Sequence, residues 1–483
     1  VFFCQRAAHQ HGPFANLGGR DREGVFVRDR RGMLKASVAG LAGLSLPGLL
    51  AQRAAATGGK VAPSGKSVIL LWLAGGPSHI DTWDPKPDRP LQNRGPFGVI
   101  ETKVPGAFIC EHLPKQAAML DKFTIVRSVD CQGSNHEPNT VMQTANLTAE
   151  ARTNPEAEKY PALASIVAKH HGANDPSMPP YVTFMRSRSH LAFGGYLGKA
   201  YDPFIANEAA KLPVLDMVGK DTGTKTTGAV FQFSQGISSS RLGERRSLYE
   251  RFDKMRRDLD QSGSLAAMDS YSQQALDMVL GRKAQEAFDL TREDPAVVAQ
   301  YGSHLWSQQT LLARRLVQAG VAFVTLDLSY HTASGTWDTH GDNIPPYGGI
   351  KNGLGPLLPI LDHLTTTLVS DLERHGLLDD TLVIAMGEFG RTPQMGTQDS
   401  TDGRNHWPVV SSILLAGGGL RHGQVIGATE KDGGAIAHRP VTPGDLGATI
   451  FRHFGVPTDV QYLDNRGRPR FVIEQGQPIA ELF

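Results

Sequence analysis

The chain is poor in the features that mark several protein classes. It has three cysteines in 483 residues, too few for a disulfide framework and without metal-ligand spacing. Cys4 precedes an export-like segment. For Cys110 and Cys131 two readings stand: a pair formed in an oxidising compartment, or two buried free thiols. Charge of one sign is also lacking, since 49 basic and 48 acidic residues leave a formal net charge of +1. No basic field exists to attract nucleic acid, and no long Lys/Arg block marks an anionic membrane surface. Aromatics make up 7% and do not alternate with basic residues in the way that base stacking uses. Nucleic acid is therefore excluded as an expected partner. Long apolar runs are missing too. The longest charge-free one, Val38 to Leu50, spans 13 residues. That suits a signal-peptide core and falls short of the ~20 that cross a bilayer as a helix.

What is present begins with that short run. RRGMLKASVAGLAGLSLPGLLAQRAAA places Arg30 and Arg31 ahead of a Gly/Ala/Leu-rich stretch that ends in Ala54-Ala55-Ala56. This pattern predicts a twin-arginine export signal. Residues 1–56 are then an N-terminal extension and signal peptide, the mature protein begins between Arg53 and Thr57, and residues 57–483 form one α/β domain. The expected location is periplasmic or extracellular. The twin-arginine translocase is the expected partner in export, and the mature protein has no transmembrane segment.

In the body, apolar runs alternate with helical patterns. SVILLWLAGG from Ser67 and FTIVRSV from Phe123 are apolar on both faces, as central strands of a parallel or mixed sheet are. SQQTLLARRLVQAG reads as an amphipathic helix ended by Gly320, and VAFVTLDL as the strand after it. A longer helix ending near Gly376 precedes the strand TLVIAM. SSILLAGGG is a further strand and GDLGATIFRHFG a last helix. TVMQTANLTA is a helix start capped by Asn139 or Thr140. The charged stretch RLGERRSLYERFDKMRRDLDQS alternates sign at helical spacing, as a solvated helix face does. The expected fold class is α/β: a central mostly parallel sheet flanked by helices.

Residues able to carry chemistry gather after the strands. They are His79, Asp81 and Asp84 in GGPSHIDTWDPKP; Ser134, His136, Asn139 and Thr140 in GSNHEPNT; and Asp338, His340 and Asp342 in GTWDTHGDN. A fourth group combines Glu388 and Arg391 in MGEFGRTP with His406 in GRNHWP. Singly these are turn formers or caps as often as ligands. Jointly they can converge on one sheet edge, where α/β proteins build their sites. Mixed Asp/Glu/His sets suit borderline divalent ions, Zn²⁺ or Mn²⁺ first and Ca²⁺ or Mg²⁺ after them. Such ions act on phosphoryl or sulfuryl esters.

The ordered motifs GGPSHIDTWDPKP, LLARRLVQAGVAFVTL, WDTHGDN, LLDDTLVIAMGEFGRTP, GRNHWP, LLAGGGLRHGQVIGATE and VTPGDLGATIFRHFG resemble the exported bacterial family catalogued as domain of unknown function 1501. That family is grouped with the alkaline phosphatase-like superfamily of phosphatases, sulfatases and cofactor-independent phosphoglycerate mutases. The resemblance implies an alkaline phosphatase-like sandwich with a metal site at the strand ends. Where the superfamily's first strand ends in an Asp ligand, this chain has Ala74-Gly75-Gly76, with His79 and Asp81 slightly later. Its Asp-to-His ligand pair is similar to Asp338 and His340, its later Asp-His or Asp-Asn pair matches Glu388-Phe389, and its final His matches His406. The implied metal ligands are thus His79, Asp81, Asp338, His340, Glu388 and His406. For the nucleophile the resemblance offers Thr140 or Ser134, with His136 either at that same place in the pattern or a further metal ligand. Arg391 either grips an anionic ester or pairs with Glu388. The Cys/Ser-x-Pro-x-Arg run of formylglycine sulfatases is absent.

Two functions follow. One is an exported metal-dependent hydrolase of phosphate or sulfate esters, acting on a small anionic ester or a sulfated or phosphorylated glycan. The other is a non-catalytic metal- or glycan-binding cell-surface protein on the same scaffold.

Overall fold

A computed structural model describes residues 65–131, 136, 140–150, 154–228, 230, 282–341, 346–397 and 399–483. The export segment, Ser134, Asn139, Asp342 and the charged stretch 241–262 lie outside the described residues, and so does the side chain of Thr140.

Among the described residues the main sheet has eight strands. In chain order they are β1 (Ser67–Trp72), β2 (Phe123–Val129), β3 (Tyr181–Phe184), β4 (Phe204–Ile205), β5 (Phe323–Asp327), β6 (Thr381–Met386), β7 (Ser411–Gly417) and β8 (Gln424–Ile426). Their spatial order is β8-β2-β7-β6-β1-β5-β3-β4. β1 lies at the centre, parallel to both β6 and β5, with Val68 opposite Leu382 on one side and Phe323 on the other. Only β7 runs against its neighbours, antiparallel to β6 and to β2. The α/β class with a mostly parallel sheet, expected from the alternating pattern, is what the chain adopts.

β1 shows why the sheet is central. All six of its residues are buried, because successive side chains point to opposite faces and both faces are covered. Ile69, Leu71 and Leu73 enter one core with α2 (Leu305–Ala319) and α3 (Gly355–Arg374). Val68, Leu70 and Trp72 enter a second core with α1 (Leu163–His170) and α4 (Pro443–Phe454). Three layers result, helices on either side of one sheet. The helix ends follow local chemistry: α2 stops at Gly320 in a left-handed cap, and α4 starts at a Thr442/Asp445 capping box. No helix among the described residues is long and apolar enough to cross a membrane. Cys110 and Cys131 are free and buried.

Strand direction decides where the chemistry collects. β1, β5 and β6 are parallel, so the segments after Trp72, Asp327 and Met386 leave the sheet at one edge. β2 runs antiparallel to β7, which runs antiparallel to β6, so β2 ends at that edge as well. β7 starts there, which places His406 at the same edge although it precedes its strand. A two-residue ladder then sets Arg391 opposite His406.

Candidate metal centre

Four residues from three segments meet at this edge: His136 after β2, Asp338 and His340 after β5, and His406 before β7. One ligand atom from each lies within 4.8 Å of all the others. His136 Nε2 is 2.7 Å from His406 Nε2, which is 2.8 Å from His340 Nε2. Asp338 approaches all three rings, at 2.9 Å to His340, 3.3 Å to His136 and 3.7 Å to His406.

That arrangement tests whether a cation fits. Each imidazole nitrogen has a single in-plane site, holding either a proton or a lone pair. His406 Nε2 faces two other Nε2 atoms and can form a hydrogen bond with only one of them. A cation is what three converging nitrogen lone pairs and a carboxylate satisfy together, and such a donor set suits Zn²⁺ or a similar borderline ion. The residues therefore fit a divalent metal.

The charges around the cluster are organised by Asp338 and Arg391. Burial favours the neutral form of Asp338, but Arg391 and the three imidazoles outweigh it and hold its carboxyl well below the usual range. Burial pulls the other way on His136, yet Asp338 and Glu388 beside it raise its pKa. His406 is driven down to about 4 by burial. Arg391 is fully buried, with Nη2 2.5 Å from Asp338 Oδ1. Its remaining side-chain hydrogen bonds go to backbone carbonyls, Gly76 O at 2.8 Å, Arg404 O at 3.2 Å and Gly75 O, and the guanidinium also lies over the Phe389 ring, 5.5 Å from its centroid. Arg391 thus pairs with Asp338, not with Glu388, and it acts as a staple under the carboxylate.

Gly75 has to be glycine. Its φ is +117°, and a Cβ there would lie 2.2 Å from Asp338 N. Where the resemblance places an acid ligand, this chain thus brings bare backbone against the Asp338 segment. The Gly75 N–H donates to Glu388 Oε1 at 2.8 Å, while its carbonyl accepts from Arg391.

The other sequence-derived residues take different places. Glu388 is fully buried and lies outside the four-residue set; Oε1 accepts from His136 Nδ1 at 2.7 Å. Phe389 is buried against the cluster, its ring 4.9 Å from His136 and 4.8 Å from His406. His79 and Asp81 are not brought to the cluster. His79 Nε2 donates to Gly433 O at 2.8 Å, and its Nδ1 accepts from Arg391 N at 3.4 Å. Asp81 pairs with buried Arg404, Oδ2 lying 2.7 Å from Nε. They brace the loops that carry Arg391 and His406. Asp84 bonds Lys86 and Thr429.

Two polar neighbours of the centre escaped the sequence reading. Ser334 donates to Asp338 and lies 2.8 Å from the Tyr347 hydroxyl, whose ring packs edge-on against His340. Their local sequences, TASGTW and PPYGG, carry no signal beyond turn propensity. A buried pair, His190 with Asp327 at 2.9 Å, likewise had none; His190 also bonds Ala333 O beside Ser334.

A family model described as "Protein of unknown function (DUF1501)" matches residues 65–483. No curated protein matches the sequence. Among solved structures, the chain is similar to the PsFucS1 sulfatase from Pseudoalteromonas sp., with 12% identity over 89% of this chain and 73% of that one and a TM-score of 0.35. It is similar to the phosphonate monoester hydrolase SpPMH from Silicibacter pomeroyi, with 11% identity, 87% and 75% coverage, and a TM-score of 0.34. A third is the C-terminal periplasmic domain of EcEptC from Escherichia coli in complex with Zn, with 11% identity, 81% and 82% coverage, and a TM-score of 0.31.

Proposed function

The chain belongs to the DUF1501 family, and from the geometry of its centre we propose that it is a metal-dependent hydrolase of phosphate or sulfate esters. One observation carries this: three imidazole Nε2 atoms and the Asp338 carboxylate converge at the sheet edge where strands end and loops open. His136, Asp338, His340 and His406 would hold the cation, with Zn²⁺ or Mn²⁺ the best matched to them. When bound, it supplies positive charge and Lewis acidity to an oxygen of the anionic ester.

The chain's own residues prepare that centre. Arg391 keeps Asp338 ionised, so the carboxylate stays available as a donor. Phe389 packs its buried ring against those of His136 and His406. Thr140, four residues past His136, is the hydroxyl that the family resemblance offers as the attacking group, with Ser134 the alternative. Arg30-Arg31 and the charge-free run after them support export of the folded protein by the twin-arginine route, to the periplasm or beyond. Loading of the ion before export would protect a histidine-rich site from capturing the wrong metal outside.

A second function, metal or glycan binding without turnover, is favoured by one feature. Gly75 and Phe389 occupy the places where the family resemblance puts further ligands, which leaves one compact centre. Hydrolysis of p-nitrophenyl phosphate, a phosphodiester and p-nitrophenyl sulfate, assayed with Zn²⁺, Mn²⁺, Ca²⁺ and Mg²⁺, separates the two. Turnover abolished by His340→Ala and His406→Ala supports the hydrolase. Stoichiometric metal without turnover of any of these supports the binding protein.

A further inference from the structure

We propose that Glu388 is a positioning residue for the cation centre: it fixes the tautomer of His136 so that Nε2 presents a lone pair to the ion, and it does not bind the ion itself. The proposal rests on the cation-binding reading of the four-residue cluster.

The geometry around Glu388 is that of an orienting group. Its carboxylate is fully buried, and Oε1 is held from two sides, by the Gly75 N–H at 2.8 Å and by His136 Nδ1 at 2.7 Å. A neutral imidazole carries one proton. A carboxylate against Nδ1 draws that proton there and leaves Nε2 free. Nε2 is the nitrogen that faces His406 Nε2 at 2.7 Å and Asp338 at 3.3 Å, inside the cluster. Glu388 has no atom in the set whose members lie within 4.8 Å of one another. Carboxylate–imidazole pairs of this kind commonly set ring orientation and ligand basicity at metal sites.

The carboxylate is itself fixed by backbone. Gly75 donates to Glu388 and accepts from Arg391, while its Cα packs where a Cβ would strike Asp338 N. One glycine thus ties together the orienting carboxylate, the Asp338 segment and the arginine paired with Asp338. The Phe389 ring, next in the chain, leans on His136 and His406 and fixes the remaining side. Adjacency of Glu388 and Phe389 in the sequence therefore has a single consequence in space: one orients the His136 ring through its edge and the other supports its face. Oε2 is buried without a hydrogen-bond partner among the described residues, and it is the atom by which direct ligation would reach a cation, so the two roles are to be separated by experiment.

Competition titration of Zn²⁺ against a chromophoric chelator, on the mature full-length protein, separates the two roles. Wild type should bind one ion. Glu388→Ala should weaken binding by about 10- to 100-fold, the usual cost of losing an orienting partner. Glu388→Gln should recover most of that affinity, because its amide oxygen still accepts from Nδ1–H and from the Gly75 N–H. The Co²⁺ d–d spectrum of Glu388→Gln should match that of wild type in position and intensity. In zinc-loaded wild type, ¹⁵N NMR should find the His136 proton on Nδ1, a measurement that stands even if Glu388→Ala fails to fold. Unchanged affinity in Glu388→Ala, or a proton on Nε2, overturns the proposal. So does a Glu388→Gln variant as weak as Glu388→Ala with an altered Co²⁺ spectrum, since that identifies Glu388 as a ligand. Wild type that takes up no ion overturns the cation centre and this inference together, whereas the other failures leave the centre standing.

Discussion

Replacing Asp338 by Asn should unbalance the centre even without a metal. Asp338 is 1% exposed and Arg391 fully buried, and their charged atoms lie 2.5 Å apart. Asn keeps the shape and one acceptor oxygen but removes the negative charge. Arg391 is then a buried guanidinium facing carbonyl dipoles and the Phe389 ring, with the raised-pKa imidazole of His136 nearby. Breaking a buried ion pair from one side typically costs about 3–5 kcal/mol, because the remaining charge stays desolvated and unpaired. The Gly75, Gly76 and Arg404 carbonyls partly solvate the guanidinium, so the lower end, ~3 kcal/mol, is expected. Urea unfolding of the metal-free protein, followed by tryptophan fluorescence, measures this. Adding Arg391→Met should recover about half of the loss or more, since the double variant buries no lone charge. A loss below about 1 kcal/mol, or a double variant less stable than Asp338→Asn, would refute the view that Arg391 exists to balance Asp338.

Other consequences are separable. Gly75→Ala forces a side chain into a φ of +117° and to within 2.2 Å of Asp338 N, so the backbone must move. A melting temperature lower by several degrees and a tenfold or greater loss of Zn²⁺ affinity are expected; calorimetry and chelator competition read the two. His453, buried with Nε2 donating to Ser67 O at 2.9 Å, has its pKa lowered to about 4 by burial. Its folded pKa is depressed, so the unfolded state takes up the proton first. Stability is full above about 6.5 and is lost as pH falls toward 4, by up to ~3 kcal/mol from this group. His453→Gln, which keeps a donor for Ser67 O, should flatten urea-midpoint profiles over that window relative to wild type. Zn²⁺ uptake requires His136 to give up any proton held between Asp338 and Glu388. Calorimetric binding in buffers of different ionisation enthalpy should therefore show proton release, and affinity should fall as pH drops.

Much of the framework was legible in the sequence because its strands are buried on both faces. SVILLW and TLVIAM are apolar after their first residue and FTIVRSV is apolar at four of seven positions, and each is a main-sheet strand. β3 and β4 were not legible: four and two residues long, they lie among loops with no periodic signal of their own. At the centre, Asp338, His340, His406 and His136 could be found because each stands in a polar turn beside a strand end. What sequence could not give was side-chain direction. His79 and Asp81 follow β1 closely, but they turn to Gly433 and Arg404, partners more than 300 residues away. Glu388 stands in a polar turn just after β6, as the cluster residues stand beside their own strands, and only the Gly75 N–H and His136 Nδ1 show which way its carboxylate faces. Arg404 stands inside GRNHWP, yet nothing local distinguishes a buried ion-pair partner from a loop arginine.

X-ray absorption at the zinc edge of the metal-loaded mature protein bears most directly on the centre. Three imidazole nitrogens and one carboxylate oxygen at about 2.0–2.2 Å are expected, lost in His340→Ala and in His406→Ala. A thiolate in the coordination shell, a shell with fewer than two imidazoles, or stoichiometric zinc that survives both substitutions would contradict it.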